Sequence, residues 1–261
     1  MKDFFVPKDL LLFSNSMEMN SDFSVRGFSA GASEAMGTLM VTAALGVPTD
    51  GLVLHYTMDN ISGTVVADEM GTYPGTLVGT FTQPDGVIGN ALYANNTSSY
   101  VTIANLGTWL SSRTEFAISM WIKPDASVTG NGPQFCISYS SHATPYYLAN
   151  IVFKPKQQIF MCTSNAYNQE FAQTLSTTKY YHVVMSYSDS KFTVWVDNTL
   201  WVDGASCAAA MPSASTATAM LGRIPAFSST LNAQRLNQDN LRIYDRALTA
   251  IDVSRLYSEA T

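Results

Sequence analysis

The sequence predicts an all-β chain: a two-sheet antiparallel sandwich with an extended N-terminal arm and a short C-terminal helix. Two observations carry that expectation. From Gly51 onward, short alternating runs are separated by clusters of Gly, Asn, Asp, Ser and Pro, the punctuation of antiparallel strands. In Phe116-Ala-Ile-Ser-Met-Trp-Ile122, residues Phe116, Ile118, Met120 and Ile122 share one face while Ala117, Ser119 and Trp121 share the other, so both faces need cover. At 261 residues the chain suffices for one large domain plus an arm.

The arm, residues 1–50, is rich in Met, Phe, Ser, Gly and Ala and sustains no period of two. It is too apolar for a solvated tail and too broken by glycine to bury a core alone, so it needs a surface to lie on. Ser33 caps a short helix through Glu34, Ala35, Met36, Leu39 and Met40, which Gly46 and Pro48 end. At the start, Asp3, Pro7, Lys8 and Asp9 fall where a secretory signal requires an uninterrupted apolar core, and no Sec signal is expected. The longest apolar run, Leu39 to Val47, is interrupted by Thr42 and Gly46 and is far short of the roughly 20 residues that span a bilayer.

Strand-rich blocks follow at Gly51-Leu-Val-Leu-His-Tyr-Thr-Met-Asp59, Gly86-Val-Ile-Gly-Asn-Ala-Leu-Tyr93 and Ser99-Tyr-Val-Thr-Ile103. The strand at 116–122 stops at Lys123-Pro124-Asp125, where proline removes a ladder donor. Tyr180 to Tyr187 and Phe192 to Val196 form a hairpin around Ser188-Asp-Ser-Lys191. Asp197-Asn198 makes a second tight turn into Thr199-Leu-Trp-Val202, because both residue types tolerate positive φ. The stretches from Ser138 to Phe171 and from Ala205 to Thr230 carry weak strand signals and are assigned to rim loops. After Asp239-Asn-Leu-Arg-Ile-Tyr-Asp-Arg-Ala-Leu248, Thr249 caps a final helix, with Asp252 at its third position and Leu248 and Val253 as a hydrophobic staple.

The net charge of −6, with only 14 Lys and Arg, excludes a nucleic-acid surface or a polybasic membrane patch, both of which need clustered cations. Cys136, Cys162 and Cys207 are odd in number and lack metal-site spacing, so buried free thiols are expected. His55, His142 and His182 are scattered, and His55 and His182 sit in strand patterns where packing is the natural role.

The opening blocks at 51–103 and the closing Asp239–Leu248 together resemble the terminal strands of a laminin-G-like, concanavalin A-like jelly roll, over about four-fifths of the chain. An aromatic-His strand, a second strand and an Asp-containing turn recur in that family too, although its turn is typically Asp-Gly rather than Asp197-Asn198. The resemblance implies two parts, an anchoring arm at 1–50 and a jelly roll at 51–261.

Such modules often hold one Ca²⁺ near the chain's start and end, and the matching acids are Asp59, Asp68 and Asp239. The family's loop usually reads Asp-x-Ser-Gly-Asn, against Asp68-Glu-Met-Gly-Thr72 here. The competing reading is that Asp59 and Asp68 form Asx turns and Asp239 caps a loop. For glycan binding, the aromatics in or near loops are Trp109, Tyr146, Tyr147, Tyr167 and Trp201, with Tyr146 and Tyr147 preferred. Some relatives are glycoside hydrolases, but the Glu-x-Asp-x-x-Glu strand of that chemistry is absent, and Glu115, Asp197, Asp203, Asp239 and Asp245 are isolated. No nucleophile elbow or phosphate loop is present in the sequence either. A non-enzyme is expected.

Laminin-G-like modules that carry a short apolar arm and no signal look like accessory proteins of tailed-bacteriophage virions, whether head decoration, head-fibre or tail-associated. The resemblance implies a virion structural protein assembled in the host cytoplasm and held to other virion proteins through residues 1–50. It would form a homo-oligomer and present a lectin-like jelly roll to host glycans. A carbohydrate-binding adhesin-type module is the alternative, and a glycoside hydrolase ranks third.

Overall fold

The computed structural model describes residues 46–94, 96, 98–111, 113–125, 135–139, 149–154, 159–161, 168–170, 175–206, 219–222 and 237–260. Contacts divide the chain into two compact units between Ala44 and Leu45, and the described residues belong to the second. The helix expected around residues 33–46, together with His142, Tyr146, Tyr147, Cys162, Tyr167 and Cys207, lies outside the described residues, as does the side chain of Cys136.

In chain order the elements are β1 (Leu52–Tyr56), β2 (Ile61–Ser62), β3 (Val65–Val66), β4 (Gly75–Val78), β5 (Phe81–Thr82), β6 (Leu92–Ala94), β7 (Tyr100–Ile103) and the one-turn helix α1 (Leu106–Leu110). There follow β8 (Phe116–Lys123), β9 (Phe135–Tyr139), β10 (Ala149–Lys154), β11 (Ile159–Met161), β12 (Asn168–Glu170), β13 (Tyr181–Ser188), β14 (Lys191–Val196), β15 (Thr199–Ser206), β16 (Ala219–Leu221), β17 (Asn237–Tyr244) and α2 (Ala250–Ser258). Among the described residues the strands form two antiparallel sheets. One runs β15-β14-β13-β8-β17-β6-β5 with β1 also on β17; the other runs β12-β11-β10-β9-β16-β7-β4-β3-β2.

The first and last strands, whose sequences resemble the family's terminal strands, lie side by side. β1 lies antiparallel to β17, with Leu52 opposite Tyr244 and Tyr56 opposite Leu241. The β13-β14-β15 meander turns twice through paired left-handed residues, Asp189 and Ser190 at φ 51° and 59°, then Asp197 and Asn198 at φ 47° and 58°. These are the primed hairpin geometries that suit strand twist, and Asp and Asn enter them at little cost.

Period-two alternation sorts β8 and β13 between two cores. Phe116, Ile118, Met120, Ile122, Tyr181, Val183, Met185 and Tyr187 point into the main core between the sheets. Ala117 and Val184 point outward, where Tyr244, Leu248, Val253 and Leu256 complete a second cluster under α2. That helix is fixed at its start by a full capping box, the Thr249 side chain accepting from the Asp252 amide while the Asp252 carboxylate accepts from the Thr249 amide. Tyr257 stacks on Trp121 at 5.7 Å between ring centroids, and the Glu259 carboxylate pairs with both guanidinium ends of buried Arg242 at 2.7 and 2.8 Å.

The rim-loop assignment fails in both stretches. Residues 135–170 hold four strands, β9 to β12, and β16 (Ala219–Leu221) lies within 205–230, because strand state is set by neighbours in the sheet more than by local alternation. Residues 106–110 form α1, where Leu106 and Leu110 are buried. A single turn gives no readable helical period.

Candidate functional site

At the junction of β1 and β17 the backbone leaves regular geometry on both strands. Met58, just past β1, has φ 67°, and Asn240, within β17, has φ 48° at the bulge between Asp239 and Arg242. Both residues are buried, and non-glycine residues in this conformation collect where a side chain must be aimed. Here the neighbouring carboxylates, Asp59 and Asp239, are turned onto the segment 86–90.

That segment is held by its backbone. Asp239 Oδ2 accepts the Val87 and Ile88 amides at 2.8 and 2.9 Å, Asp59 Oδ1 accepts the Asn90 amide at 2.7 Å, and the Gly86 amide closes on the Gly89 carbonyl at 2.9 Å. The glycines are required by contact. A Cβ on Gly86 would lie 2.6 Å from Asp239 Oδ2, and one on Gly89, at φ 68°, would collide with the Asp59 carboxylate. Gly89→Ala is therefore expected to destabilise the fold by about 1 to 2 kcal/mol, from the left-handed backbone at this position and from displacement of the Asp59 carboxylate off the Asn90 amide. Chemical denaturation measures it, and a loss below about 0.5 kcal/mol would show that the turn is not gripped in this way.

Asn240 links the pair to β1, its amide donating to Asp239 Oδ1 at 3.4 Å and its carbonyl accepting from His55 Nε2 at 3.0 Å. Asp239 is fully buried, and its carboxyl is pushed up to about 6, first by burial and further by the charge of Asp59, against the lowering effect of its backbone hydrogen bonds. Asp59 itself is exposed. No lysine or arginine pairs with either acid among the described residues. The two carboxylates meet the turn on its amide side, and carboxylate oxygens are the ligand type a hard cation such as Ca²⁺ takes.

Asp68 does not join them. Its Oδ1 accepts the His55 and Met70 amides at 2.9 and 3.1 Å, and its Oδ2 accepts the Thr72 and Tyr73 amides at 3.0 and 2.9 Å. Four donors occupy both oxygens, so this carboxylate organises the 68–73 turn. Consistently, no group of three or more His, Cys, Asp or Glu among the described residues is arranged to hold a metal. The three-acid set expected from sequence thus reduces to Asp59 and Asp239.

Of the aromatics proposed for sugar stacking, Trp109 packs against the main core from α1, and the Arg113 guanidinium covers its ring at 4.2 Å. Trp201, on β15, also packs against that core. Ser119 Oγ lies 2.9 Å from His182 Nε2, the separation of a nucleophile and its base. Both residues are 1% exposed, and burial, with help from Arg242, pushes the imidazole down to about 3. A base so weak and so covered is a packing residue, as its strand position suggested.

Sequence reasoning reached Asp59 and Asp239 but missed their partners. The available signals were Gly86 and Gly89 three residues apart ahead of a strand, and Asn240 directly after Asp239, a residue type that accepts the left-handed bulge position.

A family model described as the concanavalin A-like lectin/glucanases superfamily matches residues 95–254. Domain 4 of an extracellular arabinanase from Geobacillus stearothermophilus, solved with arabinotriose, is similar at a TM-score of 0.60 and 22% identity, over 79% of this chain and 98% of that one. Trypanosoma rangeli sialidase with sialic acid is similar at a TM-score of 0.61 and 15% identity, over 87% of this chain and 39% of that one. The binding domain of botulinum neurotoxin DC, in complex with rat synaptotagmin II, gives a TM-score of 0.55 and 12% identity over 81% and 52%. At these identities the likeness is one of fold. No curated protein matches the chain.

Proposed function

The chain belongs to the concanavalin A-like lectin/glucanases superfamily, and from that premise we propose a non-enzymatic, glycan-contacting jelly-roll protein displayed on a tailed-bacteriophage virion. Residues 1–50 would be its anchor. The observation that carries the non-enzymatic reading is the engagement of its acids: Asp59, Asp68 and Asp239 each accept backbone amides of a turn. A glycosidase needs two carboxyl groups facing a common cleft, one to protonate the leaving oxygen. The glycan reading is supported by the fold and by similar structures solved with arabinotriose and with sialic acid. The virion reading is supported by an apolar Met/Gly/Ala-rich arm and by the division of contacts after Ala44.

Asp59 and Asp239 would hold one Ca²⁺ through their carboxylate oxygens, and the ion would neutralise the two charges between the terminal strands and the 86–90 turn.

The test is a chain beginning at Thr49, compared with the full chain. The truncated protein is expected to melt cooperatively, since the second unit has its own core, and to lose incorporation into particles. Neither form should turn over a polysaccharide. Incorporation that survives truncation would dismiss the anchor, and turnover abolished by removing one acid pair would replace the proposal with a hydrolase.

A further inference from the structure

Four side chains line up across the outer face of the first sheet: Tyr93 on β6, Asn237 on β17, Lys123 on β8, and Tyr180 immediately before β13. Asn237 is opposite Tyr93 on one side and Lys123 on the other, while Tyr181 is opposite Ile122, which brings Tyr180 beside Lys123. Their sequence neighbours Leu92, Ala94, Ile122 and Tyr181 point into the main core, so alternation sends these four outward. The next row, Trp121 and His182, is buried beside Tyr257 of α2; this row is half-exposed. With strands about 4.8 Å apart, it extends roughly 14 Å from Tyr93 to Tyr180, a length suited to a short oligosaccharide rather than to one sugar.

Both rings are anchored at their hydroxyls. The Tyr180 hydroxyl is directed at Asn237 Oδ1, 2.7 Å away, and at the Asp85 carbonyl, 3.2 Å away. Asn237 is two strands over, so reaching it lays the Tyr180 ring along the sheet, with the Lys123 ammonium 5.7 Å from its centroid. The Tyr93 hydroxyl donates to Asp125 Oδ2. Among the described residues, the Asn237 amide nitrogen and the Lys123 ammonium have no hydrogen-bond acceptor. Fixed aromatic faces flanking unused donors at one surface are the ingredients of a preorganised sugar site.

We infer that Tyr93, Asn237, Lys123 and Tyr180 form a binding site for a neutral oligosaccharide. The inference rests on the glycan-contacting reading above and gives it a place and a ligand class. Neutrality follows from the surroundings. Asp85 and Asp125 border the row, and among the described residues Lys123 is the cation within it. The Tyr180 hydroxyl registers that field, being raised to about 12 by burial first and then by the charges of Asp239 and Asp85. A carboxylated sugar would meet the same repulsion.

The experiment is calorimetric titration of the full chain with arabinotriose, maltotriose and triacetylchitotriose, and with 3′-sialyllactose as the anionic comparison. At least one neutral trisaccharide is expected to bind, and sialyllactose at least tenfold more weakly. Tyr180→Ala and Tyr93→Ala should each weaken the neutral ligand tenfold or more. Asn237→Asp, which keeps the oxygen that Tyr180 needs but removes the free donor, should weaken it about fivefold with the melting temperature unchanged. Neutral binding unaltered in all three variants would overturn this site while leaving the glycan reading intact. Preference for sialyllactose would overturn the ligand class, and failure of the unmodified chain to bind any of the four sugars would overturn both readings.

Discussion

Asp68→Ala is expected to cost about 4 kcal/mol of folding stability, and to cost the same in calcium as in chelator. Asp68 is 8% exposed, and its carboxylate accepts four backbone amides, those of His55, Met70, Thr72 and Tyr73. Removing it strands these donors, each worth about 1 to 3 kcal/mol where water cannot replace the acceptor. Partial access of water to an exposed turn, where Glu69 and Met70 lie, holds the total to the lower part of that sum. The Tyr73 carbonyl at the end of the turn also accepts the hydroxyl of fully buried Tyr56, so loosening the turn disturbs the main core. Asp68→Asn keeps one acceptor oxygen and should recover about half the loss. Urea unfolding of the three proteins, with and without Ca²⁺, settles the role. A loss that appears only when calcium is present would return Asp68 to a ligand set with Asp59 and Asp239.

The contrast between Asp68 and Asp239 shows where sequence reading stops. Strand order at the chain ends, the Asp197-Asn198 turn and the capping box of α2 were legible because each depends on residues adjacent in sequence or on a strong alternation. Whether an acid grips its own turn or a distant one depends on where its oxygens point. For Asp239 that is decided by a bulge at Asn240 and by amides about 150 positions away. The row of Tyr93, Asn237, Lys123 and Tyr180 was hidden for the same reason, its members coming from three strands and the residue before a fourth, whose sheet order differs from their chain order. Trp109 shows the converse. It reads as a loop aromatic, yet the single turn of α1 places it on the core with Arg113 over its ring.

The contributions of His182 and Asp239 to the pH dependence of stability should nearly cancel between pH 4 and 6, and removing either group should shift the profile, in opposite directions. His182 is buried neutral and pushed down to about 3 by burial and by Arg242, against about 6.5 when unfolded. The unfolded chain therefore binds the extra proton across that window, and stability falls on acidification by up to about 5 kcal/mol. Asp239 acts the other way. Its folded pKa of about 6 lies above the unfolded value of 3.8, so the folded chain binds the extra proton and gains up to about 3 kcal/mol as pH falls through that interval. The two slopes cancel where they overlap, and below about pH 4 only the His182 loss continues. Relative to the unmodified chain, Asp239→Asn should lose about 2 to 3 kcal/mol more from pH 6 to pH 4, whereas His182→Gln should lose less by a similar amount. Bound Ca²⁺ would keep Asp239 ionised, so saturating calcium should make the unmodified chain as acid-sensitive as Asp239→Asn. His55 and Asp252, both lowered, are common to all three proteins and drop out of the differences. Parallel pH profiles for the three proteins would show that neither buried group is held as the structure has it.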